Sequence, residues 1–401
     1  MERESDNPAE YIRNILVTEP ANENETGIYR RISSETRFTD RMIPSVLTLR
    51  DLWHFAATDH PDNNSYGTPH TDDQGKVTYS WETYKESFNR IVKIAKASKV
   101  LFGLKKLDRV GVYGTNCADL ARILGVCNVG AWISVSLYDA YGPKSAQFIV
   151  QDSEIQVVFC TPANFDAIVG IQKECSNLRF IVVFDKMTTI ASSRDAKSEL
   201  LKEATSKTAF SSETKELLLP RISVDKNEDS GGGKADVYFL SDLEEFGIRF
   251  GSSLTGEDKL EWAENVELDV PNEDDLYSII YTSGTTAQPK GAMIKHGTIT
   301  IQLAAAYRNY LDMQPTDMHL SYLPLAHVLE CTLQALCIYR GTSIAFYRGN
   351  PRTLTTDAAV VKPTFFVGTP RVFERVRQAI LSKVNDSPFY KKWIFNAAVS
   401  S

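Results

Sequence analysis

The amino-acid sequence predicts an α/β fold built on a mostly parallel sheet, and two stretches of alternating elements support that prediction. Between residues 109 and 184, short runs rich in valine and isoleucine alternate with segments of helical periodicity, and the alternation resumes after Val270. Buried parallel strands give such apolar runs because helices cover both faces of their sheet. The chain has 401 residues, of which 43% are hydrophobic, and is long enough to bury a sizeable core.

Individual elements follow from the period of the apolar residues and from the turn residues that bound them. The segments predicted as strands are 77–80, 109–113, 131–137, 155–160, 180–184, 276–281, 319–323, 342–347 and 364–367. The segments predicted as helices are 49–58, 81–102, 116–130, 143–153, 165–175, 298–311, 328–339, 354–361 and 371–383. Residues 59–75 are rich in Asp, Asn, Pro, Gly and His, so we predict a loop there.

Two segments do not follow this alternation. Residues 1–45 show little periodicity and predict an N-terminal arm, followed by a main unit over 46–401. Residues 188–234 are charged and rich in serine, which predicts a surface insertion with one helix near 198–207. The glycine run ahead of Lys234 could cradle a phosphate. No strong strand precedes it and no hydroxyl residue follows the lysine, so its composition favours a flexible linker.

The net charge and the cysteine pattern indicate which kinds of partner the protein can bind and which cellular compartment it occupies. The net charge of −7 argues against nucleic acid as the main partner, because a phosphate backbone needs clustered cations. A few local donors still suffice to hold one triphosphate. The six cysteines form no C-x-x-C pair, and several lie in apolar runs, such as Cys127 and Cys160. This pattern favours buried free thiols in a reducing compartment over a zinc site or disulfides.

The sequence also bears on targeting and membranes. The N-terminus lacks the basic start and apolar run of a signal peptide, and we expect a cytoplasmic protein. The best membrane candidate, residues 120–137, is interrupted by Arg122 and Asn128. A bilayer span needs about 20 mostly apolar residues, so we interpret this stretch as a buried helix that leads into a buried strand. Peripheral membrane contact and the oligomeric state stay open.

The strongest chemical signal is the segment Tyr281–Gly291, with the sequence YTSGTTAQPKG. It follows an apolar strand and is predicted to precede a helix. Four hydroxyl side chains surround Gly284, and backbone N–H groups in such a loop can point together at one anion. Lys290 adds a positive charge, and Gly291 permits close approach of the chain, a set of groups that suits a polyphosphate. The alternative is a plain polar turn between a strand and a helix.

The same segment is not a P-loop. No glycine immediately precedes Lys290, and Gly291 rather than Ser or Thr follows it. The mechanism of the P-loop NTPases therefore does not transfer to this chain. A different set of phosphate-binding proteins provides the closer match.

The segment closely resembles the phosphate-binding signature of the adenylate-forming superfamily, [YF]-T-S-G-[ST]-T-G-x-P-K-G. Three further segments are similar to those of long-chain fatty acyl-CoA synthetases in particular. They are Ser136–Pro143 (SLYDAYGP), Tyr322–Glu330 (YLPLAHVLE) and Lys362–Arg375 (KPTFFVGTPRVFER). An early Trp81–Lys85 element (WETYK) also matches, and the matches follow one another in family order.

The resemblance implies stacked, mostly parallel sheets flanked by helices, with 46–401 forming part of a large N-terminal AMP-binding domain. It also implies the ATP-dependent activation of a long-chain fatty acid. The carboxylate attacks the α-phosphate of ATP, giving acyl-adenylate and pyrophosphate, and the thiol of CoA then attacks the acyl carbon and releases AMP. Mg²⁺ and cationic donors are expected to dominate this chemistry, because it depends on positioning and charge neutralisation.

The resemblance further implies roles for particular residues. Thr282 is expected near Mg²⁺ and the β- and γ-phosphates, and Lys290 beside the departing pyrophosphate. The other residues expected around the pyrophosphate are Ser283, Gly284, Thr285 and Thr286. His327 is expected to border the acyl and adenylate pocket through packing and hydrogen bonding. The alternative for His327 is a capping histidine at the start of a helix.

Several neighbouring residues match family positions without a catalytic role. Asn116 is expected to cap the helix that follows it, and His296 is expected to support the phosphate loop. Glu330 lies one helical turn after His327 and is expected either to pair with it or to face solvent. Tyr322 is a candidate for lining an acyl tunnel.

The chain departs from the family pattern at two places. Ala287 stands where the signature has its second glycine, and alanine would strain that position by about 1 kcal/mol if it needs positive φ. Family members also continue with a Y-G-x-T-E element and a small C-terminal domain bearing a catalytic lysine, neither of which occurs before Ser401. We therefore expect an incomplete portion of a ligase that is impaired on its own. The alternative is a truncated, non-catalytic protein that binds nucleotide or acyl groups.

Overall fold

The computed structural model describes residues 14–18, 28–31, 45–137, 142–184, 222–224, 235–244, 266–282, 288–309 and 313–400. The strands in these ranges are β1 (Asn14–Thr18), β2 (Ile28–Arg31), β3 (Asn64–Thr71), β4 (Val77–Thr83), β5 (Arg109–Tyr113), β6 (Ile133–Leu137), β7 (Val157–Cys160), β8 (Phe180–Val183), β9 (Ile222–Val224), β10 (Ala235–Phe239), β11 (Leu276–Thr282), β12 (Lys290–Lys295), β13 (Met318–Ser321) and β14 (Ser343–Phe346). The helices are α1 (Leu49–Asp59), α2 (Tyr84–Phe102), α3 (Ala118–Gly130), α4 (Gly142–Asp152), α5 (Phe165–Ile171), α6 (His296–Asn309), α7 (Val328–Arg340), α8 (Leu354–Val361), α9 (Pro370–Asn385) and α10 (Phe389–Ser400). None of these helices is both long and apolar enough to cross a bilayer.

The larger sheet has a parallel core, as the alternating pattern predicts. Its strand order is β12-β11-β6-β5-β7-β8-β10-β9. The inner pairs are parallel, whereas β12 and β9 at the edges run antiparallel to their neighbours. Every residue of β6, β7 and β8 is buried, which is typical of strands covered on both faces.

A second sheet has the strand order β13-β14-β3-β4. β13, β14 and β3 are parallel, and β4 runs antiparallel to β3. The prediction of a loop over 59–75 is therefore wrong, because β3 lies within that segment. Tyr66 pairs with Ile344 of β14 and packs edge-on against Trp53 and Phe346, with ring centroids 5.8 and 5.5 Å away. These contacts with distant parts of the chain override the turn-like local composition.

The helices form layers against the two sheets. One buried core joins α1, α2, α3 and α7 to residues of both sheets, while a second core packs α4 and α5 on the other side of the larger sheet. The stacked, mostly parallel sheets flanked by helices that the sequence implies are thus present. α3 is buried around most of its surface and leads into buried β6, as predicted. A Cβ on Gly125 of α3 would lie 2.7 Å from Ile91 and 3.1 Å from Trp53, so this glycine permits close packing of three helices.

A buried ion cluster joins three of these elements. Arg122 of α3 is 1% exposed, and its guanidinium donates to Asp119 and, at 2.7 Å, to Glu82 of β4. Glu82 also accepts from Arg90 of α2, which reaches Glu244 at 2.6 Å. Burial would raise the pKa of Glu82, but the two arginines together hold it below its ordinary value. The cluster therefore contains charges that stabilise one another only while β4, α2 and α3 stay together.

Other segments differ from the sequence predictions in detail. The arm predicted over 1–45 contains an antiparallel pair, β1 with β2. Residues 364–367 form no strand, and α10 was not predicted. β9 lies within the predicted insertion 188–234 and pairs with β10, which begins just after it. The predicted helix near 198–207 lies outside the described residues. Cys127 and Cys160 are buried free thiols, as predicted.

Candidate active site

The predicted phosphate loop joins two antiparallel strands. Thr282 at the end of β11 pairs in register with Lys290 at the start of β12, and the Thr282 hydroxyl lies 3.5 Å from the Lys290 carbonyl oxygen. Both residues are exposed. Four of the predicted phosphate-binding residues, and Ala287 with them, lie outside the described residues: Ser283, Gly284, Thr285 and Thr286. The described residues thus place the first hydroxyl and the lysine opposite each other at the base of a hairpin.

The predicted helix after this loop is present as α6, but a strand that was not predicted lies before it. β12 intervenes, and α6 begins only at His296. The strand is short, mostly exposed and has a lysine at each end, as is common for sheet edges that avoid pairing with another chain. Gly291 faces Tyr281, and a Cβ there would lie 2.8 Å from Cγ2 of Ile279. Its small size therefore serves contact with β11.

Tyr281 anchors the base of the hairpin to α4. Its hydroxyl donates to Oδ2 of Asp152 at 2.5 Å and lies 2.7 Å from Oγ of Ser153. Burial, with the Asp152 carboxylate as a further cause, raises the pKa of Tyr281 to about 12. The tyrosine therefore keeps its proton at neutral pH and can hold both partners. Sequence inspection did not find this anchor, because the residues are 128 and 129 positions apart.

A cavity of about 350 Å³ lies at the carboxyl ends of strands from both sheets. Its lining comes from residues after β5 (Gly114, Thr115, Asn116), at the end of β6 (Ser136, Leu137), after β13 (Tyr322, Pro324, Leu325, Ala326) and after β14 (Tyr347, Gly349, Pro351). Ligands of open α/β sheets bind in crevices beyond the carboxyl ends of the strands. Most of these residues were missed in the sequence, although their positions just after predicted strands give a usable signal.

The cavity and the hairpin lie at the same edge of the larger sheet. Ser136, which lines the cavity, pairs in parallel with Ile280 of β11. Thr282 follows two residues later on the same strand, towards the same carboxyl end. The cavity and the base of the hairpin therefore converge at this edge, although Ser136 and Thr282 are about 140 residues apart in the sequence.

Asn116 does not cap α3, so that prediction is wrong. Cys117 occupies the N-cap position instead, and its sulfur accepts from the backbone N–H of Leu120. The amide of Asn116 turns away from the helix and binds the segment after β13. Its Nδ2 donates to the carbonyl of Leu323 at 2.5 Å, and its Oδ1 accepts from the N–H of Leu325 at 2.9 Å.

His327 occupies the N-cap position of α7, but its side chain makes no capping hydrogen bond. The capping alternative is therefore wrong for the imidazole. The residue is exposed and follows Ala326 of the cavity wall, and its backbone N–H donates to the carbonyl of Pro324 at 2.9 Å. The predicted place of His327 at the border of the pocket, and its chemical role there, stay predictions.

Glu330 neither pairs with His327 nor faces solvent, so both expectations are wrong. It is fully buried, and its Oε1 lies 3.0 Å from Nε2 of His319 and 3.3 Å from Nε2 of Gln334. The first turn of α7 faces inwards at Glu330 and outwards at His327. Residues three positions apart share a face only within a helix, whereas His327 is the N-cap residue and has extended backbone, with φ −116° and ψ 137°.

His296 supports α1 rather than the phosphate loop, contrary to the prediction. Its Nδ1 accepts from the backbone N–H of Leu49 at 3.2 Å, and its ring packs against Tyr277. Burial lowers the pKa of His296 to about 4. The neutral imidazole thus satisfies one of the free N–H groups in the first turn of α1.

Tyr322 lies in the cavity wall and is fixed by residues that precede α9. Its hydroxyl donates to the carbonyl of Val367 at 2.6 Å, and its ring stacks on Phe366 with centroids 5.1 Å apart. Both partners, Val367 and Phe366, belong to the segment 364–367. This segment was predicted as a strand but instead lies alongside the cavity wall. A role of Tyr322 in an acyl tunnel stays a prediction.

The chain matches the family model described as AMP-binding enzyme over residues 56–397. The chain belongs to the AMP-binding enzyme family. The match covers both sheets, the hairpin base and the whole cavity lining. It therefore places the site described above within the part of the chain that is common to the family.

Curated relatives of this AMP-binding chain include acyl-CoA synthetases. The peroxisomal long chain acyl-CoA synthetase 7 of Arabidopsis thaliana is 28% identical over 390 residues, which is 96% of this chain and 48% of the relative. Fatty acyl-CoA synthetase A of Dictyostelium discoideum is 28% identical over 373 residues, which is 93% of this chain and 48% of the relative. The chain thus spans about half the length of the curated relatives it matches.

Solved structures confirm the fold. The adenylation domain of the carboxylate reductase from Mycobacterium chelonae superposes with a TM-score of 0.65 at 20% sequence identity. The superposition covers 86% of this chain and 49% of that protein. At this identity the likeness shows the shared architecture of sheets and helices.

Proposed function

We propose that this chain is a portion of an AMP-forming long-chain fatty acid–CoA ligase. In the first step a carboxylate oxygen of the fatty acid bonds to the α-phosphorus of ATP, and the bond to the bridging oxygen breaks and releases pyrophosphate. In the second step the sulfur of CoA bonds to the acyl carbon, AMP leaves, and the thiol proton is lost. The family match and the names of the curated relatives support this reaction class.

One observation supports the proposal above all. The base of the hydroxyl-rich hairpin and a cavity lined mostly by apolar and small residues lie at the same carboxyl edge of a parallel sheet. Such an arrangement can hold a polyphosphate beside an apolar substrate, so that the carboxylate and the α-phosphate meet between them. Holding two reactants in this way removes much of the entropic cost of the reaction.

In this proposal Lys290 neutralises charge on the departing pyrophosphate. The surrounding hydroxyl and backbone donors come from Ser283, Gly284, Thr285 and Thr286. Mg²⁺ usually takes one or two protein oxygen ligands and completes its shell with water and phosphate oxygens. Thr282 is exposed, and its hydroxyl fits such a sparse donor set; it lies 3.5 Å from the carbonyl oxygen of Lys290 in the same hairpin. When bound, Mg²⁺ would neutralise negative charge on the phosphates.

The acyl substrate is assigned to the cavity, with His327 at its border. The volume of about 350 Å³ lies at the lower end of the range for small-molecule sites. Its wall carries Tyr322, Leu325 and Leu137, which suit an apolar chain. Residues 46–401 are assigned to a portion of the large AMP-binding domain, with ATP, a long-chain fatty acid and CoA as the substrates. Both the chain-length class and the use of CoA rest on the relatives.

Pyrophosphate release from the longest product of the gene tests the proposal. With ATP, Mg²⁺ and oleate, we expect release of about one pyrophosphate per protein molecule, and addition of CoA should convert this into continuous turnover. Omitting oleate provides the control for simple ATP hydrolysis. Release that does not depend on oleate, or no release at all, would contradict the proposal. The 401-residue chain assayed alongside shows which of the two steps this portion supports.

A further inference from the structure

A connected series of five buried polar side chains runs from the cavity into the protein. Asn116 Nδ2 donates to Oγ of Ser321 at 3.0 Å, and Nε2 of Gln334 donates to the same oxygen at 3.0 Å. Gln334 also donates to Glu330 at 3.3 Å, and Glu330 lies 3.0 Å from Nε2 of His319. Each of the five is at most 5% exposed. The series links the loop after β5, strand β13 and helix α7.

Asn116 directs both of its N–H donors and its carbonyl oxygen at one short segment. A side-chain amide has two N–H donors and one carbonyl acceptor. Here the donors bind Ser321 and the carbonyl of Leu323, while the acceptor binds the N–H of Leu325. Because all these groups are buried, the segment cannot move away without leaving several polar atoms unpaired, which costs free energy. One side chain of the larger sheet therefore determines where the segment after β13 lies.

That segment forms one wall of the cavity. Leu325 and Ala326 line it directly, and His327 follows at its border. On its far side the segment is held by Gln334. The Nε2 of Gln334 donates to Oγ of Ser321, the same oxygen that accepts from Asn116. The wall is thus held between the loop after β5 and helix α7, and Asn116 itself lines the same cavity.

We propose that Asn116 is a positioning residue that sets the wall formed by residues 322–326 and, through it, the place of His327. It acts through the backbone of this segment. The consequence for substrate binding rests on the proposed function, because the wall is assigned there to the acyl substrate. The consequence for the segment itself does not depend on any activity.

Two substitutions and one matched control test this role. Asn116→Ala removes all three hydrogen bonds. Asn116→Asp keeps the shape and the acceptor but places an oxygen opposite the carbonyl of Leu323, and it serves if the alanine variant fails to fold. Asn63→Ala is the control, because Nδ2 of Asn63 donates to the carbonyl of Gly341 at 3.0 Å, beyond the other end of α7. It removes a similar bond far from the cavity.

The first measurement is hydrogen exchange at the backbone amide of Leu325. We expect Asn116→Ala to speed this exchange by about 10-fold or more, because the amide loses its acceptor. In Asn63→Ala the rate at Leu325 should stay as in the wild type. Equal rates in Asn116→Ala and the wild type would overturn the proposal, whether or not the chain has ligase activity. For Asn116→Asp, unchanged exchange throughout the stretch from Ser321 to His327 would overturn it likewise.

The second measurement is steady-state kinetics of the longest gene product. We expect Asn116→Ala to raise KM for oleate by about 10-fold while KM for ATP changes by less than about 2-fold. A purely structural role would lower the amount of folded enzyme and leave both constants unchanged, and that result would overturn the positioning role. If the wild type releases no pyrophosphate, the proposed function fails, and the exchange rates alone decide the role of Asn116.

Discussion

Lys290 and Lys295 stand at the two ends of the same edge strand, yet their surroundings differ. Lys295 pairs with Asp274 at 2.9 Å, on the side away from the loop. Lys290 lies at the loop end, opposite Thr282. An ammonium group at the mouth of a loop rich in hydroxyl groups is placed for an anion, whereas Lys295 has a surface partner. The two lysines therefore offer a matched pair for testing the phosphate site.

We predict that Lys290→Ala weakens ATP binding by about 10- to 100-fold, because a hydrogen bond to a charged group contributes about 1.5–3 kcal/mol. Lys295→Ala should change it by less than about 2-fold. Isothermal titration with ATP and Mg²⁺ measures both affinities, and thermal unfolding checks that each variant stays folded. Equal affinity in the wild type and Lys290→Ala would rule out the assigned role.

A second residue-scale prediction concerns His296 and acid. Burial lowers its pKa from about 6.5 in an unfolded chain to about 4. The unfolded state then binds the extra proton first, so the free energy of unfolding decreases as the pH falls from about 6.5 towards about 4. Above the ordinary pKa of about 6.5 the imidazole is neutral in both the folded and the unfolded state. Its contribution to the free energy of unfolding is then fully present.

His296→Asn should remove this dependence while keeping an acceptor for the N–H of Leu49. Between pH 7.5 and 4.5 the wild type should lose about 2–3 kcal/mol more than the variant. Urea unfolding at several pH values measures the difference. His54→Asn, at an exposed position of α1, is the control and should follow the wild type. Parallel curves for the wild type and His296→Asn would contradict the prediction.

At the scale of elements, the ion cluster holds β4, α2 and α3 together. These elements lie beside the buried core in which the helices pack against both sheets. Glu82 accepts from both Arg122 and Arg90, while Asp119 and Glu244 each accept from one of these arginines. Removing one partner of a buried pair leaves a charge without compensation, which is far more costly than losing an exposed pair. Arg109 and Glu154 form such an exposed pair at 2.8 Å.

We predict that Glu82→Gln lowers the free energy of unfolding by about 2 kcal/mol, since buried Arg122 keeps Asp119 but loses its second carboxylate. Glu154→Gln should lower it by at most about 1 kcal/mol. Equilibrium unfolding in urea gives both values. A loss for Glu82→Gln no larger than that for the control would mean that the cluster does not stabilise the packing of these elements.

The elements that the sequence predicts well are those whose buried apolar residues follow a single pattern of spacing along the chain. β5 to β8 and α3 are continuous apolar segments, and each lies where the pattern places it. β3 and β12 escaped prediction because their stability comes from pairing with distant or neighbouring strands, not from their own composition. Residues 364–367 have the composition of a strand but pack as an irregular segment against β13 and Tyr322. Local propensity cannot reveal such partners.

At the scale of the whole molecule, the site depends on two sheets whose strands end at a common cavity. Motif resemblance marked Thr282, Lys290 and His327 because their residue types recur in a known pattern. It could not find the anchor of Tyr281 on Asp152 or the clamp of Asn116, because both link segments far apart in the chain. Short motifs therefore predict the chemistry of this site, whereas the contacts that position its residues become visible only in the folded chain.

The central claim is that the hairpin between Thr282 and Lys290 binds the triphosphate of ATP. The most direct test is a crystal structure of the protein with Mg²⁺ and a non-hydrolysable ATP analogue. We predict phosphate oxygens within about 3.2 Å of the Lys290 ammonium group and of backbone N–H groups of the loop. A nucleotide bound elsewhere, or a loop closed on its own side chains beside a fully occupied nucleotide site, would contradict the claim.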